Sequence, residues 1–439
     1  MTSTTETHAV PKRVWSSTGW RLAGRLYGSA CTLAILWFAT RALGDAEFGR
    51  MTFYLALLLI LDGAVDLGTG NAAVQVTSSE PERVPGVVAV GRRIRIVTAA
   101  IGALVVGGYA YLQDEPDWPW IAVAALYPLT HALGLSALVF WNRIAWGVPV
   151  AVRALASTLS LGFAALMLQS PWKSAGSIVF AVAAGSTLGN IALHFVARKQ
   201  TRIGSGAPEP FAPFLKLALP MGLAGLCQQL YFHIDNVFLR HWHSDEVIGD
   251  YNLGVRVMSW SIALALFSSG AALPWLKRER DAGRLGPALT RLGQPGFALA
   301  GLASGLLWSH TADILALFGE SHRGGADALN WLLLAGWAVY LGAPLMTALV
   351  AAGRNADILR IAVVSLMVNL TLCALWVPED GILGAARSTV ATEGLVAVLA
   401  AVFLTRAGHA PVAGRRTALW LLGPAGFAFG IGLTRLIGS

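Results

Sequence analysis

Between Phe48 and Ala73 the sequence reads FGRMTFYLALLLILDGAVDLGTGNAA. This run carries only three charged residues, Arg50, Asp62 and Asp66. It is long enough to cross a bilayer, which takes about 20 predominantly apolar residues. Comparable runs follow one another along the chain and are separated by short charged or Pro/Gly-containing segments, so little sequence is left for a soluble domain. We therefore predict a polytopic membrane protein built from helices.

The composition supports this prediction, because 55% of the residues are hydrophobic and only 13% are charged. Ordinary soluble domains carry about 25% charged residues. We predict an all-α fold with about twelve transmembrane helices and a thirteenth apolar segment that Gly423-Pro424 interrupts. The predicted spans are Trp20–Ala42, Phe48–Ala73, Ile94–Leu112, Trp118–Trp141, Val148–Leu168, Ser174–Ala197, Phe214–Leu239, Tyr251–Trp275, Phe297–Phe318, Leu329–Ala352, Ile358–Val377, Leu383–Leu404 and Leu419–Ile437.

Neither metal nor cofactor chemistry is predicted. The three cysteines, Cys31, Cys227 and Cys373, each lie within an apolar span, where a cysteine packs as a small hydrophobic side chain. His241 and His243 alternate in a loop without a third ligand, which is weak support for a metal site. We expect no disulfide, no metal and no cofactor.

The loops between the spans alternate in charge. One set carries most of the lysines and arginines, and the other set carries acidic clusters such as Asp114/Glu115/Asp117 and Glu379/Asp380. Cytoplasmic loops are the ones enriched in Lys and Arg, so the N-terminus is predicted to be cytoplasmic. The net charge of +8 is spread over many loops, which favours membrane topology and contact with anionic lipid over binding of nucleic acid.

The chain divides into two similar halves. A Gly/Ser/Pro-containing linker follows a basic run near residue 204, and the segments RALGDAEFG at 41–49 and RHWHSDEVIG at 240–249 match weakly. Their final glycines are 249 − 49 = 200 residues apart. A duplicated bundle is typical of transporters, with the substrate path at the interface between repeats. We predict an N-terminal six-helix lobe at 1–203, a C-terminal six-helix lobe at 204–410 and an accessory helix at 411–439.

Several short motifs resemble those of bacterial polysaccharide exporters and Wzx-like oligosaccharide flippases, in the multidrug/oligosaccharidyl-lipid/polysaccharide exporter superfamily. They are RALGDAEFG at 41–49, DLG at 66–68, IDNVFL at 234–239, IGDY at 248–251 and GILGAA at 381–386. The resemblance covers nearly the whole chain, although each motif is short. It implies a MATE-like fold in which two pseudo-symmetric six-helix bundles enclose a central cavity with alternating access.

Polar residues at membrane depth are the candidate site, because a charged side chain at helix centre costs about 2.5 to 3.5 kcal/mol on insertion scales. Arg256 shares a helical face with Asn252 and Ser259, which makes it the strongest cavity candidate. Guanidinium groups bind phosphate oxygens in pairs and stay charged. The predicted substrate-binding residues are Arg25, Arg153, Arg256, Arg387, Asn252 and Gln228.

Four acidic residues within the spans are predicted to couple transport to an ion or to serve in structure: Asp62, Asp66, Asp235 and Glu393. Asp62 and Asp66 are spaced i, i+4 on the second span and therefore share a helical face. We expect them to pair with Arg25 or Arg50, and this structural interpretation is favoured over a cation or proton site.

The leading hypothesis is a flippase that moves polyprenyl-diphosphate-linked oligosaccharide across the bacterial cytoplasmic membrane for surface polysaccharide biosynthesis. Its expected partners are that lipid-linked oligosaccharide, membrane lipids, a polysaccharide polymerase and glycosyltransferases. An enzyme is disfavoured, since the sequence has neither a long loop for acid/base residues nor a nucleotide-binding Gly-rich loop. The alternative is an ion-coupled multidrug or cation antiporter that uses Asp66, Asp235 or Glu393.

Overall fold

The computed structural model describes residues 12–77, 80–142, 145–199, 209–410 and 422–437. Throughout these ranges the regular structure is helical and no strand is present. The predicted boundary between residues 203 and 204 and the start of the accessory segment at residue 411 lie outside the described ranges. The division into lobes at those positions therefore stays a prediction.

The described part of the first half forms nine α-helices, and short 3-10 turns connect some of them. They are α1 (Lys12–Ala42), α2 (Asp45–Asp66), α3 (Thr69–Thr77), α4 (Val84–Leu112), α5 (Trp118–Ala124), α6 (His131–Gly134), α7 (Leu138–Asn142), α8 (Gly147–Leu168) and α9 (Ala175–Arg198); the 3-10 turns are Pro81–Arg83, Tyr127–Thr130 and Leu135–Ala137.

The described part of the second half forms ten α-helices and one 3-10 turn, Glu320–Gly325. They are α10 (Phe211–His233), α11 (Asp235–Trp242), α12 (Asp245–Ser261), α13 (Ala263–Asp281), α14 (Leu285–Trp308), α15 (Thr311–Ala316), α16 (Ala326–Ala351), α17 (Asn355–Asp380), α18 (Ile382–Arg406) and α19 (Leu422–Ile437).

The predicted membrane-spanning architecture is confirmed, although the count of twelve spans is approximate. Within the described ranges, 11 helical segments are long and apolar enough to cross a membrane. The predicted ninth span is displaced: α14 begins at Leu285 and ends at Trp308, twelve and ten residues before the predicted limits of Phe297 and Phe318. The thirteenth apolar segment corresponds to α19, which has only 16 residues.

The outward faces of the helices are apolar, as a bilayer requires. Leu104 and Leu112 on α4 are each 76% exposed, and Leu166 on α8 is 64% exposed. Exposed leucines in such number would be unfavourable in water but are neutral against lipid tails, which are equally apolar. The buried acids discussed below, Asp235 and Glu393, lie inside the molecule instead.

The two halves form pseudo-symmetric six-helix bundles. In the first bundle α8 packs against α1 and α9, and in the second α17 packs in the same way against α10 and α18. The bundles meet where α2 and α3 pack against α10 and α12. The two predicted bundles are therefore present, and their interface is formed by the second span of one bundle and the first two spans of the other.

The second span bends between α2 and α3 so that the bundles can touch. Leu67 and Gly68 both have positive φ values, 40° and 73°. A Cβ atom on Gly68 would lie 2.3 Å from the carbonyl oxygen of Ala218 on α10. The position therefore requires glycine for its backbone conformation and for the close approach of α10.

The fourth span is broken, whereas the sequence predicts one uninterrupted helix over Trp118–Trp141. Three short α-helices alternate with 3-10 turns there. Two arginines of α4 satisfy carbonyl groups at the break: Arg95 Nη1 donates to the His131 oxygen at 2.9 Å, and Arg92 Nε donates to the Ala132 oxygen at 3.2 Å. Irregular backbone at membrane depth needs such partners.

Candidate functional site

A cavity of 720 Å³ lies between the bundles and is lined mainly by α2, α10, α12, α13, α16, α17 and α18. It extends from Thr52 and Asn252, near the start of α2 and α12, to Asn355, the first residue of α17. We name the end of the molecule at which α2 and α12 begin the outer end, because the loop charges predict it to be extracellular. Most of the wall is apolar, with a few polar groups converging on it, as is usual for ligand pockets.

Arg256 projects into this cavity from α12. Its guanidinium has no hydrogen-bond or ion-pair partner among the described residues, so neither Asp235 nor Glu393 neutralises it. His233 on α10 also lines the cavity, within electrostatic range of Arg256, and its Nδ1 atom is buried with no partner in the described part of the chain. The cavity wall therefore presents an uncompensated positive charge at Arg256, since a charged side chain at membrane depth has to be paired or hydrated.

Arg25 enters the same cavity from the opposite bundle. Its guanidinium lies 5.1 Å from the centre of the Phe267 ring on α13, so it reaches across the bundle interface. This contact is a cation–π interaction, which orients the side chain without consuming its hydrogen-bond donors. The structure thus brings two predicted arginines, one from each bundle, to one cavity.

Glu393 on α18 is the acidic group of the cavity wall and is only 4% exposed. The Tyr231 hydroxyl and the Gln228 side chain lie near its carboxylate. The Oε1 atom of Glu393 is buried and has no hydrogen-bond partner in the part of the chain that the structure describes. The wall therefore also carries one acidic residue without an arginine or lysine partner among the described residues.

Asn252 links the cavity to the buried acid Asp235. The Nδ2 group of Asn252 donates to Asn236 Oδ1 at 2.6 Å and to Thr52 Oγ1 at 3.2 Å. Asn236 in turn donates to Asp235 Oδ1 through its backbone N–H at 2.9 Å and through Nδ2 at 3.1 Å, and the Tyr251 hydroxyl donates to Asp235. Asp235 itself is 1% exposed and is absent from the described cavity wall.

The other predicted acids pair differently from the expectation. Asp66 forms an ion pair with Arg95 of α4 rather than with Arg25 or Arg50. Asp62 accepts a hydrogen bond from the Tyr127 hydroxyl and lies 3.6 Å from His131 Nε2. Tyr127 and His131 belong to the broken fourth span. The expected pairings were wrong because α4 and the fourth span, not α1, pack beside this face of α2.

Arg153 and Arg387 lie outside the described cavity wall. Arg153 is exposed on α8, with its guanidinium in electrostatic range of Asp62. Arg387 donates to Asp380 at 2.7 Å and lies over the Trp331 ring, 5.4 Å from its centre. Of the six predicted substrate-binding residues, the structure therefore brings four to the cavity: Arg25, Gln228, Asn252 and Arg256.

An ion network closes the outer end and joins the two bundles. Arg240 at the end of α11 donates to Glu115 of the first bundle and to Asp245. Arg50 pairs with Glu47 and lies 3.6 Å from Asp245. Sequence reasoning missed this network, although three of its members fall in the two matched segments 41–49 and 240–249.

Comparisons with known proteins agree with this architecture. The family model described as "Polysaccharide biosynthesis protein" matches residues 14–279, and the model named MatE matches residues 220–375. A search of curated protein sequences found no match.

Solved structures with the same fold include a flippase and two multidrug transporters. The lipid II flippase MurJ, in an inward closed conformation, is 12% identical with a TM-score of 0.70, covering 96% of this chain and 99% of that chain. An inward-facing multidrug resistance MATE family transporter of the MOP superfamily is also 12% identical with a TM-score of 0.70, covering 89% and 95%. A single-residue mutant of the Vibrio cholerae MATE transporter VcmN is 15% identical with a TM-score of 0.62, covering 90% and 96%.

Proposed function

Because this chain belongs to the polysaccharide biosynthesis protein family, and is therefore a membrane transporter or flippase rather than an enzyme, we propose that it is a flippase for polyprenyl-diphosphate-linked oligosaccharide. It would carry this lipid across the bacterial cytoplasmic membrane by alternating access, with its N-terminus in the cytoplasm, and supply surface polysaccharide biosynthesis. The polymerase and glycosyltransferases of that process are the proposed partners.

The observation that carries this proposal is a pair of arginines, Arg25 and Arg256, which enter one cavity from opposite bundles and have no carboxylate partner among the described residues. A diphosphate must leave water to cross the hydrocarbon region, and guanidinium groups can replace its hydration with charge-assisted, paired hydrogen bonds. The prenyl chain has no such need and would stay in lipid between the bundles. The head group alone has to enter the cavity.

The conformation supports loading from the cytoplasmic side. The network of Arg50, Glu115, Arg240 and Asp245 closes the outer end, whereas the cavity reaches the opposite end of the molecule at Asn355. Release on the outside would require these ion pairs to separate and the bundles to tilt. The proposed alternating-access step is therefore the opening of the outer end together with the closing of the cytoplasmic end.

The acidic residues receive different roles in this proposal. Asp66, paired with Arg95, holds α2 against α4. Asp235 is buried and Asp62 is half-buried, and neither forms an ion pair with arginine or lysine among the described residues, so they are the proposed sites for coupling to an ion. Arg153 and Arg387 lie outside the cavity in this conformation, and we assign direct substrate contact to Arg25, Arg256, Gln228 and Asn252.

An ion-coupled multidrug or cation antiporter is the competing function. The observation that favours it is Glu393, an acidic residue of the cavity wall that forms no ion pair with arginine or lysine among the described residues. Two arginines in the same wall oppose it, because like charges in a desolvated site repel a cationic drug. The cavity therefore matches an anionic head group better than a cation.

Transport into liposomes tests the proposal. Purified protein is reconstituted, and the transbilayer movement of a fluorescent polyprenyl-diphosphate-linked sugar is measured for the wild type, Arg25→Ala and Arg256→Ala. We expect both alanine variants to lose most transport, while Arg406→Ala, which removes an exposed arginine at the end of α18, transports normally. Normal transport by both cavity variants, or transport of a cationic dye instead of the lipid, would overturn the flippase assignment.

A further inference from the structure

A basic groove, formed by Arg92, His194 and Arg198, lies on the first bundle at the end opposite the outer end. Its sides are α4 and α9, which both pack against α6 and the 3-10 turn Leu135–Ala137. Arg92 of α4 reaches across this turn, since its Nη2 atom donates to Ser136 Oγ at 2.8 Å and lies 3.0 Å from His194 Nδ1 on α9. Arg198, the last residue of α9, lies within electrostatic range of both Arg92 and His194.

The groove brings two arginines together without an acid. No carboxylate in the described ranges forms an ion pair with Arg92 or Arg198. In the part of the chain that the structure describes, Nη1 of Arg92 and the whole guanidinium of Arg198 have no hydrogen-bond partner. Two neighbouring cations repel each other, and an anion bound between them replaces this repulsion with attraction. The groove is therefore complementary to an anion.

The surface beside the groove is apolar and faces lipid. Ile96, one turn further along α4 on the same face as Arg92, is 49% exposed, and Phe195 on α9 is 57% exposed. Helix α4 has 29 residues, more than the roughly 20 that cross the hydrocarbon core, so Arg92 near its beginning can lie at the membrane surface. The groove thus joins positive charge to exposed apolar side chains at the boundary of the bilayer.

We propose that the basic groove binds an anionic phospholipid, with its phosphate between Arg92 and Arg198 and an acyl chain along Ile96 and Phe195. Guanidinium groups bind phosphate oxygens through charge-assisted hydrogen bonds, and basic pockets between membrane helices bind acidic head groups. A zwitterionic lipid would bring its own cation toward the two arginines, so a head group with net negative charge is preferred. This inference does not depend on which substrate the central cavity carries.

The lipid would also support the broken fourth span. Arg92 Nε donates to the Ala132 oxygen at 3.2 Å, one of the carbonyl groups that the break leaves without a helical partner. A phosphate that bridges Arg92 and Arg198 would hold α4 and α9 on either side of this irregular segment. We therefore expect bound anionic lipid to raise the Tm of the protein.

Native mass spectrometry of the purified full-length protein in detergent tests the inference. Phosphatidylglycerol and phosphatidylcholine with the same acyl chains are added in equal amounts, and bound lipids are counted. We expect the wild type to hold phosphatidylglycerol more tightly than phosphatidylcholine. Arg198→Gln should weaken phosphatidylglycerol binding roughly fivefold, whereas Arg198→Lys should keep most of it. Arg198 is exposed and makes no hydrogen bond with the described residues, so its replacement should not disturb folding.

Arg360→Gln is the matched control for charge at the same end of the molecule. Arg360 is also exposed, but it already pairs with Asp357 at 2.8 Å, so its loss should leave lipid binding unchanged. Equal binding of the two lipids by the wild type, or an equal loss in Arg360→Gln and Arg198→Gln, would overturn the inference.

Inorganic phosphate, added without lipid, separates a lipid head group from a free anion. We expect phosphatidylglycerol to raise the Tm of the wild type more than that of Arg198→Gln, and phosphate alone to have no such effect. If phosphate alone gives the same difference between the two proteins as phosphatidylglycerol, the groove binds a free anion, and its assignment to phospholipid is wrong.

Discussion

Asn252 of the second bundle donates a hydrogen bond to Thr52 of the first, 3.2 Å away, and these residues stand 200 positions apart. The glycines that end the two matched segments, Gly49 and Gly249, have the same separation and also meet: a Cβ on Gly249 would lie 3.5 Å from the Gly49 Cα. Residues that are equivalent in the two repeats thus touch each other. This contact lies at the outer end of the cavity, whose wall includes Thr52 and Asn252.

Replacing Gly49 should loosen the outer end. A Cβ at this position would lie 1.7 Å from the carbonyl oxygen of Asp245, so α12 must move away, at a cost of about 1–3 kcal/mol for overpacking. We expect Gly49→Ala to expose the cavity to the outside. The measurement is labelling of a Leu55→Cys reporter by a membrane-impermeant maleimide in a background without native cysteines. Gly44→Ala is the matched control, because a Cβ there meets nothing within 4 Å.

The outer ion network should stabilise the same closed end. Arg240 and Glu115 are 16% and 4% exposed, and removing one partner of a buried ion pair costs roughly 3–5 kcal/mol because the other charge is left uncompensated. We expect Arg240→Gln or Glu115→Gln to increase outside labelling of Leu55→Cys strongly. The double variant should be less affected than the sum of the single variants. Additive effects would mean that the two side chains act independently.

The sequence predicts the fold well because each span is a local property. An apolar run such as 48–73 must cross a membrane whatever its neighbours are, and the repeated segments at 41–49 and 240–249 reveal the duplication. The broken fourth span could not be predicted in this way. It depends on Arg92 and Arg95, which arrive from α4 and satisfy carbonyl groups that a continuous helix would have satisfied itself.

The sequence predicts only part of the candidate site, because helical spacing is local whereas contacts between helices are not. Helical spacing places Arg256 and Asn252 on one face, and the structure places that face on the cavity. Spacing does not reveal which distant helix lies opposite. The predicted partners of Asp62 and Asp66 were therefore wrong. Arg387 is a third case: the sequence predicts a substrate-binding residue, whereas the structure pairs it with Asp380 across the turn between α17 and α18.

The orientation of the chain is testable by cysteine labelling in intact cells. The loop charges place Ser170, after α8, outside and Ser205, in the linker between the halves, in the cytoplasm. In a background without native cysteines, we expect Ser170→Cys to react with a membrane-impermeant maleimide and Ser205→Cys to react only after permeabilisation. The reverse pattern would invert the topology, and the outer ion network would then be a cytoplasmic one.

An ion pair at the cytoplasmic side should make stability depend on pH. Arg83 donates to both carboxylate oxygens of Glu209, at 2.8 and 2.9 Å, and this holds the pKa of Glu209 below its usual value. A lowered pKa in the folded state means that the stabilisation is present above the unfolded pKa and is lost as the pH falls through the folded value. We expect wild type to have a slightly higher Tm than Glu209→Gln at pH 7. The difference should vanish in acid.

The sharpest expectation concerns Arg256, whose guanidinium faces the cavity without a partner among the described residues. Lysine keeps the charge but loses the planar fork that binds two phosphate oxygens, so Arg256→Lys should retain partial transport, whereas Arg256→Ala should lose most of it. A hydrogen bond to a charged group is worth about 1.5–3 kcal/mol, which corresponds to a roughly ten- to hundredfold loss of affinity. Transport of a lipid-linked sugar is measured at equal protein abundance. If alanine and lysine variants are equally impaired, paired hydrogen bonding is not the role of Arg256, and normal transport by the alanine variant would leave Arg25 as the only cavity arginine able to hold the diphosphate.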